Sequence, residues 1–241
     1  MILRFKNWVA VFLRFAFQKT PKDFKNLTIY INNFNRLTFL KELIHSLEKR
    51  GYRNLVILDN NSTYAPLLKF YESTPYKVIR FNKNYGYKSY WKSGLWLKNI
   101  NKYFAYTDSD LKISEACPDN FLEYFYELLI KYPEVHKVGF SLKIDDIPNC
   151  YKLKNKVINW ESRYYEKELE KDLYLAPIDT TFALYRPFSK IGQKDGSTPI
   201  VRVGGFYNAH HLPWYVDSKN LDEEELYYIT SLTKKTHWSG L

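Results

Sequence analysis

Between Leu27 and Leu142 the chain alternates short apolar runs with longer stretches whose apolar residues recur every three or four positions. That is the pattern of buried strands joined by amphipathic helices. Residues 27–31, 54–59, 76–81 and 103–107 read as strands, with helices at 37–49, 65–71 and 88–99 between them. A helix at 121–131 precedes a fifth strand at 137–142. Strands regularly interleaved with helices predict an α/β fold with a doubly wound, mostly parallel, Rossmann-like sheet. Past residue 142 the alternation weakens: 152–172 is polar, aromatic and helix-like, and 181–185 is a short strand. No repeat or Gly/Ser linker marks a boundary, so residues 25–241 read as one domain with halves 25–142 and 143–241, preceded by a segment 1–24.

Open α/β sheets bind ligands beyond the carboxyl ends of their strands, and here those ends are polar. The first runs into Asn32-Asn33-Phe34-Asn35-Arg36, the second into Asp59-Asn60-Asn61-Ser62, the fourth into Asp108-Ser109-Asp110. Two carboxylates one residue apart offer hard oxygen ligands to Mg²⁺ or Mn²⁺, and such an ion neutralises phosphate charge well. Asp and Ser are also ordinary turn formers, so the expectation for Asp108 and Asp110 rests on the strand before them and the two polar ends beside them. Asp59 to Ser62 reads either as a ligand loop or as a capped turn. Arg36 and Lys88 open helices on the same edge, where a phosphate would be accommodated or the cation simply solvated.

Composition adds a partner class. The net charge is +10, with 36 Lys and Arg against 26 Asp and Glu, so the surface should attract phosphates on nucleotides, nucleic acids or anionic lipids. The basic residues are dispersed and no nucleic-acid-binding motif is present, so nucleic acid is not expected. Aromatic residues are 18% of the chain, 22 of them Tyr, which suits stacking on bases and sugars or a tyrosine-rich core. Cys117 and Cys150 are isolated and imply no disulfide framework, which points to a reducing, cytoplasmic compartment. Residues 1–20 mix Trp8, Phe12, Phe15 and Phe17 with Arg4, Lys6, Arg14 and Lys19. Their longest apolar stretch is too short to span a bilayer and no cleavage site follows. A basic amphipathic helix lying on the inner face of the cell membrane is expected there, with packing on its own domain or a dimer contact as the alternative.

The second half carries Val203-Gly204-Gly205-Phe206-Tyr207-Asn208-Ala209-His210-His211-Leu212-Pro213-Trp214. Paired glycines allow close backbone approach, and Pro-Trp after adjacent histidines suggests a rigid loop presenting an imidazole. Pro213 and Trp214 should restrict His211 more than His210, so His211 is the one of the two expected to be held in a fixed place; an ordinary surface or core histidine is the alternative.

From Leu27 to about Leu142 the chain resembles the GT-A glycosyltransferases of family 2. Thr28 to Arg36 stands where that family has its first strand and polar turn, Leu55 to Ser62 resembles its second strand, Asn82-Lys83-Asn84-Tyr85-Gly86 its Asn-x-Gly turn, and Asp108-Ser109-Asp110 its metal motif. The resemblance implies a nucleoside-diphosphate-sugar donor, with a UDP-sugar the first expectation, and a Mn²⁺ or Mg²⁺ cofactor. It implies that Asp59 faces the base, that the loop holding Asn33, Asn35 and Arg36 lines the nucleotide with Asn61 and Lys88, and that Asp108 lies near ribose and metal. Asp110 and His211 complete the expected metal site.

The expected acceptor is a glycan or lipid-linked glycan of surface polysaccharide or lipopolysaccharide assembly. It should be bound by the second half, with aromatic residues between Trp160 and Tyr215 stacking on its sugars. A transferase also needs a carboxylate near the acceptor hydroxyl. Asp179 is the first candidate base, Glu161 and Asp217 the next. The family's Glu-Asp pair has its only counterpart in Asp222-Glu223-Glu224-Glu225, which reads first as a helix start. A nucleotidyltransferase-type metal enzyme lacks its Gly-rich phosphate motif here, and a non-catalytic sugar-binding relative would not need Asp108, Asp110 and His211 intact.

Overall fold

The structure, a computed structural model, describes residues 19–178, 181–188 and 199–232. Among these, ten strands form one sheet. They are β1 (Ile29–Asn33), β2 (Leu55–Asp59), β3 (Lys77–Arg80), β4 (Phe104–Asp108), β5 (Leu111–Ile113), β6 (Lys137–Leu142), β7 (Glu168–Glu170), β8 (Leu173–Leu175), β9 (Ala183–Tyr185) and β10 (Val201–His211). The order is β3-β2-β1-β4-β9-β6-β10-β8-β7, with β5 pairing β10 off that path. The first four strands pair in parallel, and β9 runs antiparallel between β4 and β6. Strands β1 and β2 are buried at every position, which is why they read as unbroken apolar runs: both faces of a parallel sheet are covered.

The covering helices are α1 (Thr38–Glu48), α2 (Ala65–Ser73), α3 (Ser89–Lys92), α4 (Phe121–Lys131), α5 (Lys154–Glu161) and α6 (Glu223–Ser231). Helix α1 buries Leu40, Leu43, Ile44 and Leu47, one stripe at helical spacing. Alternate residues of the strands feed two cores. Ile29, Ile31 and Ile57 join the larger one, which draws on both halves of the chain. Tyr30, Val56 and Leu58 join a smaller one with Tyr90, Phe104, Tyr106 and Tyr185. Phe104 and Tyr185 stack there with ring centroids 5.2 Å apart, so part of the aromatic richness is structural.

Three segments depart from expectation. The helix expected at 88–99 is broken into 3₁₀ turns, Gly86–Lys88 and Leu95–Asn99, around the short α3. Gly94, at φ 79°, takes a left-handed conformation that stops the helix at little steric cost. The helix-like stretch 152–172 is helical only through α5, a 3₁₀ turn at Ser162–Tyr165 and then the β7–β8 hairpin. The expected histidine loop is a strand: β10 lies parallel to β6, pairing Val203 with Phe140 and Asn208 with Ser141, so residues 204–207 bulge out between them. Gly205 adopts φ 60°, and a Cβ on Gly204 would sit 2.9 Å from the Tyr174 ring. The paired glycines therefore serve the bulge.

The chain's late helix closes on its beginning. No side chain of the α1 sequence caps that helix. Instead Glu224 Oε1 accepts hydrogen bonds from the backbone N–H groups of Leu37 (2.8 Å) and Thr38 (2.9 Å), and Oε2 accepts one from Thr38 Oγ1. A carboxylate at a helix N-terminus satisfies orphan donors and opposes the helix dipole. Asp222 caps α6 itself by accepting from Glu225 N at 2.8 Å.

At the N-terminal border Lys19 pairs in parallel with Lys102. The membrane-surface helix expected in residues 1–18 lies outside the described residues, and no helix among the described residues is long and apolar enough to cross a membrane.

Two stability measurements check this packing. Gly139 on β6 faces Ala183 on β9 so closely that a Cβ would meet the Phe182 carbonyl oxygen and come within 2.8 Å of Ala183 Cα. Because backbone cannot yield cheaply, Gly139→Ala should lower unfolding free energy in urea by about 2 kcal/mol or more. Glu224→Ala should cost on the order of 1–2 kcal/mol by uncapping α1; an unchanged urea midpoint would show that α1 does not depend on α6.

Candidate functional site

Strand ends this polar can be buried only if every donor and acceptor finds a partner, and one side chain supplies most of them. Asn32, the fourth residue of β1, donates from Nδ2 to Asp108 Oδ1 at 2.8 Å. Its Oδ1 accepts from Asn60 Nδ2 and Ser89 Oγ, each at 2.6 Å. Asn60 Oδ1 in turn accepts from the backbone N–H of Tyr85. Next along the strand, Asn33 donates to Tyr71 Oη at 2.9 Å and accepts from Ser109 Oγ at 2.6 Å. The ends of β1, β2 and β4 and the start of α3 are thus tied into one network.

Beside it lies a charged cluster. Leu111 pairs with His211 across β5 and β10, and Leu212 N donates to the Asp110 carbonyl at 2.9 Å. That pairing sets His211 Nε2 3.5 Å from Asp110 Oδ2. Arg36 Nη1 stands 3.6 Å from the same oxygen, while Nη2 donates to Glu225 Oε2 at 3.0 Å. The guanidinium lies 3.8 Å from the Tyr228 ring centroid, a favourable cation–π distance. Arg36 Nε and Nη1 are buried without a hydrogen-bond partner among the described residues.

Burial pushes the Asp110 carboxyl upward, but attraction to His211, its hydrogen bond and the nearby Arg36 outweigh this and hold it at about 2. Asp110 is therefore ionised at any ordinary pH. Burial raises the Glu225 carboxyl above its usual range, opposed by Arg36 and reinforced by Asp222, Asp110 and Glu224. The cluster is asymmetric: one acid is held as an anion, the other resists ionisation.

The remaining expected residues are placed as follows. Asp59 is fully buried, its Oδ1 accepting from Tyr71 Oη and its Oδ2 from Ser62 N and Arg80 Nε, all at 3.2 Å. Both of its oxygens are engaged within the chain. Asn35, at φ 50°, is fully buried; its Oδ1 accepts from Thr63 N and Tyr64 N and its Nδ2 donates to Ser231 Oγ. It acts as a fastener between loops. Asn61 is exposed at φ 62°, and Lys88 Nζ lies 5.2 Å from the Tyr87 ring centroid.

Of the candidate bases, Asp179 lies outside the described residues. Glu161 is buried and accepts from Arg202 Nη1 at 2.7 Å. Arg202 pairs with Gly139 near the start of β6, toward the opposite end of β10 from His211, on the order of 15 Å away by strand rise. Asp217 accepts from the Lys219 N–H within its own turn. Neither forms a hydrogen bond or ion pair with the Asp110 cluster among the described residues. His210 faces Asp146 at 3.3 Å, so it and His211 do point to different partners. Trp214 is buried with its ring 4.6 Å from that of His211.

Sequence reasoning took Glu225 only as part of a helix start and passed over Tyr228. Their only signal was the acidic start of α6, where Glu224, Glu225, Tyr228 and Ser231 form one helical stripe that is polar and so invisible to hydrophobic periodicity.

Asp110 and His211 offer a carboxylate and an imidazole that fit a divalent ion. No three His, Cys, Asp or Glu groups converge on a metal position among the described residues, so an ion held here would draw further ligands from water and phosphate, as Mg²⁺ habitually does.

The chain is similar to several solved structures. GalNAc-T7, in a crystal structure with UDP, GalNAc and Mn²⁺, matches 80% of this chain and 44% of its own at 13% identity, with a TM-score of 0.50. Residues 1–349 of S. aureus TarS match 67% of this chain and 47% of that one at 14% identity, TM-score 0.40. Glucosyl-3-phosphoglycerate synthase from Mycobacterium tuberculosis, in complex with phosphoglyceric acid, matches 67% and 57% at 14% identity, TM-score 0.41. The chain thus spans about half the length of these structures. No curated protein sequence matches it significantly. The likeness to GalNAc-T7 shows the GT-A fold. The sequence model of glycosyl transferase family 2 matches residues 28–190, well over half of the chain, and the protein belongs to that family.

Proposed function

We propose that the chain is a metal-dependent glycosyltransferase that moves a sugar from a nucleoside-diphosphate sugar to a glycan or lipid-linked acceptor. The observation that carries this reading is the convergence of Asp110, His211 and Arg36 beside the Asn32–Asp108 junction, at the strand ends where open α/β sheets bind ligands. Arg36 Nε and Nη1 are buried and make no hydrogen bond among the described residues, and a diphosphate would satisfy them through charge-assisted hydrogen bonds. Asp110, already ionised, needs no deprotonation before it can act as a ligand.

Mn²⁺ or Mg²⁺ held by Asp110 and His211, with Asp108 nearby, would supply neutralisation of the leaving diphosphate. UDP is the nucleotide to test first, since GalNAc-T7 holds UDP with Mn²⁺ on the same fold. The base would lie toward β2, where Asn33, Asn61 and Lys88 flank the same edge as Asp59. Asp179 is the proposed catalytic base, ahead of Glu161 and Asp217, which are engaged elsewhere. We further propose that residues 1–24 hold the enzyme at the cytoplasmic face of the membrane, beside a lipid-linked glycan of surface polysaccharide or lipopolysaccharide assembly.

Thermal unfolding of the purified protein tests the donor site, because a ligand that binds only the folded state raises stability by about 2.7 kcal/mol at a hundred times its dissociation constant. UDP and Mn²⁺ together should raise the melting temperature more than either alone, and Asp110→Asn should abolish the metal-dependent part. UDP-sugar hydrolysis by the Asp108→Asn/Asp110→Asn double variant should fall by about a hundredfold or more. Retained hydrolysis in that variant would place the chemistry elsewhere.

A further inference from the structure

The segment from Asn82 to Lys102 contains Lys83, Lys88, Lys92, Lys98 and Lys102, and neither Asp nor Glu. Three of the chain's exposed large apolar side chains lie within it: Tyr87 at 51%, Leu97 at 60% and Ile100 at 39%. Lys92, Lys98 and Lys102 are exposed with them. Lys83 and Lys88 lie over the rings of Tyr85 and Tyr87, 5.0 and 5.2 Å from their centroids. Basic side chains interleaved with exposed apolar and aromatic groups are suited to a lipid–water boundary.

This face lies where the N-terminal segment joins the domain. Lys19 N donates to the Asn101 carbonyl at 3.1 Å, and Lys19 pairs with Lys102. Residues 1–22 repeat the same composition: Arg4, Lys6, Arg14, Lys19 and Lys22 with no acid, among Trp8, Phe12, Phe15 and Phe17. We infer that residues 83–102 form the domain's own half of a membrane-binding surface, recognising an anionic bilayer by charge and by insertion of Leu97 and Ile100. The inference rests on the peripheral-membrane part of the proposed function and assigns it a second, independent contact.

An anionic bilayer suits this face better than nucleic acid does. Single-stranded nucleic acid is bound on exposed aromatic platforms, whereas Trp91 and Trp96 pack against the smaller core and the most exposed large side chain here is aliphatic. The segment is also rigidly joined to the strand ends. Tyr106 Oη donates to the Tyr87 carbonyl at 2.7 Å, and Ser89 Oγ donates to Asn32. A bilayer on this face would hold the donor site at a fixed height above the lipid.

The full-length chain should co-sediment with phosphatidylcholine vesicles containing about one third phosphatidylglycerol, and not with phosphatidylcholine alone, with binding weakened by salt. The Leu97→Ser/Lys98→Glu/Lys102→Glu variant should lose about tenfold or more of that partitioning while keeping its melting temperature and its UDP-sugar hydrolysis. An Arg4→Glu/Lys6→Glu/Arg14→Glu variant reports the N-terminal contact separately. If the first variant binds like wild type while the second does not, the N-terminus alone holds the membrane and the inference is overturned. If wild type binds neither vesicle, the membrane reading falls with it, and hydrolysis tells whether the enzyme reading survives. Loss of RNA binding or of dimerisation in the first variant, with lipid binding unchanged, would assign the face to that partner instead.

Discussion

A side-chain amide at the end of the first strand has four hydrogen-bonding positions to fill, and in a buried setting each unfilled one costs about 1–3 kcal/mol. Asn32 fills most of them with the parts that the site requires: the Asp108 carboxylate, the Asn60 amide and the Ser89 hydroxyl. An aliphatic residue in its place would leave the buried Asn60 amide without that acceptor and take one hydrogen bond each from Asp108 and Ser89. The junction therefore both pays for polar strand ends inside the fold and fixes where Asp108 stands. It also fixes α3, and through α3 the lysine-rich face of residues 83–102.

Beside this junction the surroundings favour the ionised form of Asp110 and oppose that of Glu225. Arg36 lies between Asp110 and Glu225, with Tyr228 against its guanidinium. A buried cation of this kind is costly unless paired; both carboxylates attract it, yet its Nε and Nη1 groups make no hydrogen bond among the described residues. That unspent capacity points toward an anionic ligand, which is what a diphosphate donor provides. Helix α6 enforces the arrangement from the far end of the sequence: Glu224 caps α1 while Glu225, one residue on, holds Arg36. The same helix thus stabilises the first half of the chain and sets the charge balance beside Asp110.

Much of the fold was legible because β1, β2 and β4 are buried on both faces and α1 and α4 carry strict apolar stripes, so burial wrote itself into the sequence. The resemblance implied that a late histidine stands near Asp110, with Pro213-Trp214 only choosing between His210 and His211; the structure sets His211 Nε2 3.5 Å from Asp110 Oδ2. What delivers the imidazole was not legible: β10 was read as a loop because Gly204, Gly205 and Pro213 are local turn signals, whereas pairing with β6 and β5 overrides them and absorbs the glycines in a bulge. Gly94 was visible but its helix-breaking role was not weighed, and Glu161 looked available because nothing local reveals its partner Arg202, 41 positions away. Likewise Glu224 and Glu225 looked like dipole-favoured acids of their own helix, since the groups they bind lie almost the whole chain away.

The central claim is that Asp110 and His211 together hold a divalent cation over the strand ends when the donor nucleotide is present. Pulsed electron paramagnetic resonance of bound Mn²⁺ addresses it directly, because an imidazole ligand imprints nitrogen modulation on the electron spin echo. The account predicts that UDP produces a bound Mn²⁺ signal carrying that modulation, and that His211→Ala removes the modulation. A UDP-dependent Mn²⁺ signal with no nitrogen coupling, or with coupling that survives in His211→Ala, would contradict it.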